Sequence, residues 1–340
     1  MHAETVAFTT IPGASVAVGF GTQPAMLYRR LGRTNLRVSE LGYGAARGAI
    51  ENRRQFIATV KVAVDAGINF VDTAAGYEDG ASEEALGEAL RGCDDVIIET
   101  KYRPYDGWAP EAAYNGAPDA LVASVEGSLR RLRRGHVDIL LGHGIRTLSS
   151  FDRFMNDGCW DAMLRLRDQG KVRFLGISEL SEGDGTHEIL RRAVPTGVFD
   201  IVMLTINMLL QTATEALLPL CRKHDVGTVV MMPLNQASKQ SGLVSVPAAL
   251  ECVRRHIAAG NLPAEFPYTD SRLFDFLQPY SIPEAALRYV LAQDIGTCCV
   301  GARSPERVRE NLQAVEPPYL DAARMGRVRD LFGRIRMQMR

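Results

Sequence analysis

The sequence predicts an α/β fold, a (β/α)8 barrel with a β-hairpin before it and an extra helix after it. Eight times along the chain, a short apolar run rich in β-branched residues precedes a polar loop and a segment with apolar residues at helical spacing. Parallel strands joined by helices have this alternation, and eight such units close naturally into a barrel. The 340 residues, 46% hydrophobic and 23% charged, can bury one large core.

The strands and the hairpin are read from short apolar runs between turn-forming residues. Residues 27–38 contain two such runs around Gly32-Arg33-Thr34-Asn35, which predicts a hairpin covering the barrel floor. The eight predicted barrel strands are 41–45, 68–72, 96–100, 137–141, 172–177, 199–204, 227–232 and 297–300.

Helices are predicted where the apolar spacing changes. Residues 119–134 place their leucines on one stripe with the arginines facing away, and residues 160–169 form another helix, which Gly170 ends. Residues 320–339 predict the extra helix outside the barrel. The longest insertion, 238–281, contains Pro and aromatic residues, which favours a partly ordered loop with short helices.

No shift in composition suggests a second domain, so we expect one domain, 26–340, after a disordered extension, 1–25. That extension has no Lys or Arg and so lacks the basic start of a signal peptide. The net charge of −1 argues against a nucleic-acid partner, and no apolar run approaches the ~18 residues that span a membrane. Six cysteines without paired spacing indicate reduced thiols, no metal site and a cytoplasmic location.

Polar residues follow three successive strands at the barrel end where catalytic groups lie. The second strand ends in Asp72, the third in Lys101 and the fourth in His143, and Tyr77 lies in the loop after Asp72. Any one of them alone is as often a surface residue or a loop cap. The four together predict a catalytic cluster.

The segment Phe70-Val71-Asp72-Thr73-Ala74-Ala75-Gly76-Tyr77, followed by Ser82-Glu83-Glu84-Ala85-Leu86-Gly87, resembles the first signature of the aldo-keto reductase superfamily. Residues 98–101, 138–143, 170–178 and 301–312 match further family motifs in the same order. The resemblance covers roughly residues 27–312. It implies the barrel fold and hydride transfer between NADP(H) and a small aldehyde or ketone, or the reverse oxidation of an alcohol or sugar.

The resemblance makes Tyr77 the acid in reduction and the base in oxidation, and assigns Asp72, Lys101 and His143 to the same catalytic set. The chemistry of these residues agrees. The ordinary tyrosine pKa of about 10 is too high for easy proton transfer, and a neighbouring Lys101 held by Asp72 should lower it. His143 can donate a hydrogen bond to the oxygen that gains charge.

A Rossmann dehydrogenase is disfavoured because no Gly-x-Gly-x-x-Gly opens a βαβ unit. Instead, residues 301–311 begin a helix whose amino end can receive a phosphate, with positive charge from Arg303 and Arg307. By resemblance, Arg307 holds the adenosine 2′-phosphate, and Glu310 and Asn311 contact adenine. The alternative is that these residues cap and solvate the last barrel helix.

Further cofactor contacts also come from the resemblance. Gly301 and Ala302 stand where some members have Lys and Ser, which keeps NAD(H) open beside NADP(H). Met203 and Ile206 replace the family's Gln and aromatic residue beside the nicotinamide. The predicted contacts at the nicotinamide and pyrophosphate are Ser178, Asn207, Pro233, Leu234 and Asn235.

The sequence leaves alternatives open for the substrate and for the class of function. Trp108 and Tyr114, together with aromatic residues of the insertion, either line an apolar pocket for a bulky substrate or pack the insertion onto the barrel. A regulatory barrel that binds cofactor without turnover would also explain the lost Gln. A metal-dependent hydrolase would need several His and carboxylate ligands at the barrel mouth, whereas His143 is the only histidine at a strand's carboxyl end.

Overall fold

The strands of the chain form a hairpin and a closed barrel. A computed structural model describes residues 26–107, 109, 111–180, 185–236, 241–267 and 270–337, so the predicted extension 1–25 lies outside the described residues. The strands are β1 (Tyr28–Arg30), β2 (Arg37–Ser39), β3 (Leu41–Gly44), β4 (Phe70–Asp72), β5 (Ile97–Tyr102), β6 (Val137–Ile145), β7 (Val172–Glu179), β8 (Ile201–Thr205), β9 (Gly227–Met231) and β10 (Thr297–Val300).

Helices alternate with the barrel strands and extend past the last one. They are α1 (Arg53–Asp65), α2 (Ala81–Ala89), α3 (Pro118–Leu132), α4 (Leu148–Asn156), α5 (Cys159–Asp168), α6 (Glu188–Ala193), α7 (Thr212–Ala216), α8 (Leu218–Lys223), α9 (Val246–Ala258), α10 (Ile282–Leu291), α11 (Pro305–Leu312) and α12 (Ala322–Phe332). Within the described ranges, no helix is long and apolar enough to cross a membrane.

The barrel consists of β3 to β10, each parallel to the next, and β10 pairs back with β3. β1 and β2 pair antiparallel across a short 3-10 turn, Gly32–Thr34. A side chain at Gly32, whose φ is +50°, would lie 2.2 Å from the amide nitrogen of Gly227, so only glycine lets the hairpin reach the start of β9. The predicted fold, hairpin and extra helix are confirmed.

The barrel lumen is filled by apolar side chains at its floor. Leu31 of the hairpin enters it and packs with lumen residues that include Phe70, Ile97 and Ile139. Along β5, side chains alternate between lumen and outer layer, so Ile97, Glu99 and Lys101 share the lumen face. The polar cluster described below therefore lies on a dry, apolar base.

The insertion after β9 is more regular than the sequence suggests. Instead of short helices alone, it contains the 13-residue helix α9, whose first turn is capped by the side chain of Ser245. Phe266 and Phe274 of the insertion stack against Phe332 of α12, with ring centroids 6.0 and 6.4 Å apart. These two aromatic residues pack the insertion onto the C-terminal helix.

Candidate active site

Lys101 is the centre of a polar cluster at the carboxyl end of the barrel. Its side chain is fully buried, and its Nζ forms an ion pair with Asp72, donates to the carbonyl of Thr73 at 2.7 Å and lies 3.4 Å from Tyr77 Oη. Burial alone would lower the pKa of Lys101, but Asp72, and then Tyr77 and Glu99, raise it above its usual value. Lys101 is therefore a fixed cation beside the phenol.

Tyr77 is held by the loop that follows β4. It begins a 3-10 turn, Tyr77–Gly80, and its amide donates to the carbonyl of Ala74 at 3.0 Å. The next residue, Glu78, accepts hydrogen bonds from the amides of Gly48 and Ala49 at 2.9 and 2.8 Å, which ties this loop to the one after β3. The phenol thus has a defined place above Lys101.

Burial determines the proton affinity of Tyr77. It raises the pKa of Tyr77 to about 12, although the nearby Lys101 lowers it, and Asp72 and Glu99 raise it further. The effect of Lys101 has the direction expected from the sequence, but desolvation outweighs it. Tyr77 is therefore protonated at neutral pH.

His143 faces Tyr77 from β6. The two ring centroids are 5.7 Å apart, with the rings nearly perpendicular at 81°. Burial first, and then the positive charges of Lys101, Arg103 and Arg146, hold the pKa of His143 well below its usual value. The imidazole is thus neutral and can act as a hydrogen-bond donor. Both Lys101 and His143 lie inside their strands, which continue to Tyr102 and Ile145.

Glu99 is a member of this cluster that sequence reasoning missed. It is 0% exposed, and it lies on β5 with Asp72 as its Cα partner on β4. Burial, and then the Asp72 carboxylate, raise the pKa of Glu99 well above its usual value. The sequence spacing could have indicated it, because Glu99 is two residues before Lys101 on the same strand and its side chain therefore lies on the same face.

A second buried carboxylate lies at the end of β7. Glu179 accepts from the amide of Thr205 at 2.8 Å and pairs with His187 Nδ1 at 2.8 Å, while His187 Nε2 lies 2.9 Å from Thr212 Oγ1. The preceding Ser178 accepts from the amide of Gly144 at 2.7 Å. Ser178 is therefore held at the lumen side of the barrel mouth, and the Glu179–His187 pair was not foreseen.

The residues predicted for the cofactor's phosphate surround the start of α11. The side chain of Ser304 caps the helix by accepting from the amide of Arg307 at 3.3 Å. Arg307 pairs with Glu310 at 2.5 Å, both half exposed, and Arg303 pairs with Glu51. Asn311 is buried. The amino end of α11 thus carries two arginines, each with an acidic neighbour.

Three of these residues border an open cleft of about 390 Å³. Arg307, Glu310 and Asn311 form one side, and the starts of α9 and α10, including Ser245 and Ser281, form the other. Its volume lies within the range that is usual for small-molecule sites.

The remaining predicted cofactor residues lie at strands β8 and β9. Asn207 is fully buried, and its side-chain oxygen accepts from the amides of Leu209 and Leu210 at 3.0 and 2.9 Å. This bonding makes Asn207 a turn-forming residue. Pro233, Leu234 and Asn235 are buried directly after β9, and Asn235 has a φ of +49°.

The predicted substrate residues are only partly visible. Trp108 lies outside the described residues. Tyr114 packs edge-on against Tyr105 at 5.7 Å, and its hydroxyl lies 3.9 Å from Cys159 Sγ. These contacts hold the loop after β5 against α5. In the described part of the chain, no group of three His, Cys, Asp or Glu side chains is arranged to hold a metal ion.

Comparisons with known proteins agree with this architecture. A family model described as Aldo/keto reductase family matches residues 40–332. L-galactose dehydrogenase of Arabidopsis thaliana is 30% identical over 297 residues, which cover 84% of this chain and 87% of that protein. NADH-specific methylglyoxal reductase of Escherichia coli (strain K12) is 27% identical over 325 residues, covering 86% and 94%.

Solved structures have the same fold. The holo form of an aldo-keto reductase from Bacillus halodurans superposes with a TM-score of 0.70 at 26% identity, over 91% of this chain and 97% of that one. The family model spans the whole barrel and includes the Asp72, Tyr77, Lys101 and His143 cluster. The chain therefore belongs to the aldo/keto reductase family of oxidoreductases.

Proposed function

We propose that this protein transfers hydride between NADP(H) and the carbonyl of a small aldehyde or ketone, or oxidises the corresponding alcohol, with Tyr77 as the general acid and base. One observation carries the proposal: Lys101 Nζ binds Asp72 and lies 3.4 Å from the Tyr77 hydroxyl, while the His143 ring faces that phenol. A barrel that only binds a cofactor has no physical need for this arrangement.

Tyr77, Lys101 and His143 each have a separate role in carbonyl reduction. A bound reduced nicotinamide supplies the hydride. Tyr77 gives its proton to the carbonyl oxygen as charge develops there, and Lys101 stabilises the phenolate that remains. His143, being neutral, donates a hydrogen bond to the same oxygen and orients it. In oxidation, the Tyr77 phenolate takes the proton from the alcohol.

The described residues fit a dinucleotide. The cleft beside α11 offers the half-exposed Arg307 and the buried Asn311. Arg307, with Arg303 nearby, would hold an adenosine 2′-phosphate, Glu310 and Asn311 would contact adenine, and Ser178 with the backbone of Pro233, Leu234 and Asn235 would hold the rest.

Charge near Arg307 bears on the choice between NADP(H) and NAD(H). Glu310 already pairs with Arg307 at 2.5 Å, and a 2′-phosphate would have to displace that carboxylate. NAD(H) carries no such phosphate and so leaves the pair intact. The Escherichia coli relative is named as NADH-specific, and NAD(H) is therefore the second cofactor to test.

The test separates binding from chemistry. NADPH and NADH are titrated into the protein by nicotinamide fluorescence, and aldehydes and ketones are then added while nicotinamide absorbance is followed. We expect Tyr77→Phe to keep cofactor affinity and to lose at least about a hundredfold in turnover. An active Tyr77→Phe variant would remove Tyr77 from its role, and cofactor binding without turnover in the unmodified protein would favour the regulatory barrel.

A further inference from the structure

Glu99 is a buried carboxyl group for which the proposed hydride transfer has no use. It stands on β5 two residues before Lys101, directs its side chain to the same lumen face, and is 0% exposed. Its neighbour across the sheet is Asp72. A carboxylate in such a place costs free energy unless hydrogen-bond donors or a cation compensate it.

The donors near Glu99 are already engaged. A lysine ammonium has three N–H bonds, and those of Lys101 are accounted for by Asp72, the Thr73 carbonyl and the Tyr77 hydroxyl. Neither oxygen of Glu99 accepts a hydrogen bond from any residue that the structure describes. Two carboxyl groups facing one ammonium in a dry lumen cannot both ionise cheaply.

Other titratable groups give Glu99 no compensation. Besides Asp72 on β4 and Lys101 on β5, two further groups of the described residues interact with it: Tyr77, in the loop after β4, and Cys299, on β10. Both are neutral when protonated, and burial raises the pKa of each. Most of the described side chains in the lumen layer below are apolar. A protonated Glu99, by contrast, has a partner, since its O–H can donate to Asp72.

Building on the proposed hydride transfer, we propose that Glu99 is a positioning residue, a neutral carboxylic acid that donates its proton to Asp72 and so fixes the carboxylate holding Lys101 beside Tyr77. Glu99 keeps this proton throughout the cycle, and Tyr77 exchanges its own with substrate and solvent. A negative charge on Glu99 would oppose formation of the Tyr77 phenolate, so neutrality of Glu99 also favours proton release from Tyr77.

Infrared difference spectroscopy tests the protonation state without any turnover. At neutral pH the protein should show the carbonyl band of a protonated carboxylic acid, and Glu99→Gln should remove it. Glu83→Gln is the matched control, because Glu83 is an equally buried carboxylate that Arg131 and Thr100 already compensate at 2.8 and 2.6 Å. Glu83→Gln should leave the band in place. A spectrum in which Glu99→Gln removes only carboxylate absorption overturns the proposal.

Kinetics test the positioning role. Glutamine can still donate a hydrogen bond to Asp72, so Glu99→Gln should keep kcat for reduction within about threefold, whereas Glu99→Leu, which has no donor, should lose about tenfold. Alcohol oxidation at a given pH should be unchanged in Glu99→Gln, since one neutral group replaces another. A faster oxidation would show that Glu99 is ionised, and unimpaired reduction by Glu99→Leu would show that it positions nothing.

The infrared measurement tests the protonation state of Glu99 independently of the proposed function. If no carbonyl is reduced, the proposed function fails, yet the band and its loss in Glu99→Gln still report on Glu99. If Glu99→Leu does not fold, the Glu99→Gln variant alone tests the protonation state of Glu99, through the loss of the infrared carbonyl band and through the rate of alcohol oxidation. Tyr77→Phe should retain the band, because Tyr77 is not the partner of Glu99.

Discussion

Replacing Lys101 with methionine should slow carbonyl reduction while leaving cofactor binding unchanged. Methionine fills a similar volume but removes the ammonium that lies 3.4 Å from the Tyr77 hydroxyl. At that distance and an effective dielectric constant of about 20, a full phenolate charge gains about 5 kcal/mol from the ammonium. The Asp72 carboxylate opposes this gain, so the figure is an upper bound.

The expected rate follows from how much charge the transition state carries. With about half of the phenolate charge developed, Lys101→Met loses about 2.5 kcal/mol, or about 70-fold in kcat for reduction. Single-turnover absorbance with saturating NADPH measures this step directly, and fluorescence titration measures NADPH affinity. A kcat that stays within about threefold of the unmodified protein, with intact NADPH binding, would refute the role of Lys101.

In the Lys101→Met variant, an effect on folding stability has to be distinguished from an effect on the reaction rate. Lys101→Met leaves the Asp72 carboxylate buried without its cation, a change that costs about 3–5 kcal/mol of folding stability in typical proteins. Arg29→Met is the matched control, because it breaks the ion pair with the fully buried Glu40 at the barrel floor, far from Tyr77. We expect both variants to melt at lower temperature, but only Lys101→Met to lose kcat at a temperature where both are folded.

The remaining predictions concern pH and cofactor choice. Because burial holds the pKa of Tyr77 at about 12, the phenolate fraction, and with it alcohol oxidation, should rise about tenfold per pH unit through the neutral range. Reduction uses the protonated form and should stay level there; a level oxidation profile would contradict this. With the pKa of His143 held well below its usual value, neither profile should show a histidine step near neutral pH. Arg307→Ala should weaken NADPH binding about tenfold and NADH binding less than about twofold, measured by fluorescence, and equal losses would place Arg307 away from the 2′-phosphate.

The barrel could be predicted because its signals are local. Each strand is an apolar run between polar loops, and each predicted strand overlaps an observed one, with the last, Thr297–Val300, matching at both ends. The hairpin depends on a turn sequence, and α12 on helical spacing that can be read without tertiary contacts. The proximity of Asp72, Tyr77, Lys101 and His143 was predictable for a related reason, since parallel strands bring their carboxyl ends together.

The features that were missed depend on register and on contacts between distant segments. Glu99 lies beside Asp72 because β4 and β5 pair in a register that composition does not set. The Glu179–His187 pair needs the loop after β7 to fold back on its own strand. Asn207 stays a predicted cofactor contact, and the hydrogen bond that its side-chain oxygen accepts from the amide of Leu209 in the local turn was not indicated by the sequence.

Because the lumen below the polar cluster is mainly apolar, a few charges at the barrel mouth are enough to influence the chemistry of Tyr77. Below Glu99 the described layers of the barrel interior hold mostly hydrophobic side chains, so a charge there is poorly screened and pairwise effects are strong. With Glu99 and His143 neutral, the ammonium of Lys101 and the carboxylate of Asp72 cancel, and the resting cluster is balanced. Proton loss from Tyr77 then creates the one uncompensated charge, directly beside the cation that can stabilise it. A second ionised carboxyl would remove that advantage, which is why the protonation state of Glu99 should control the chemistry of Tyr77.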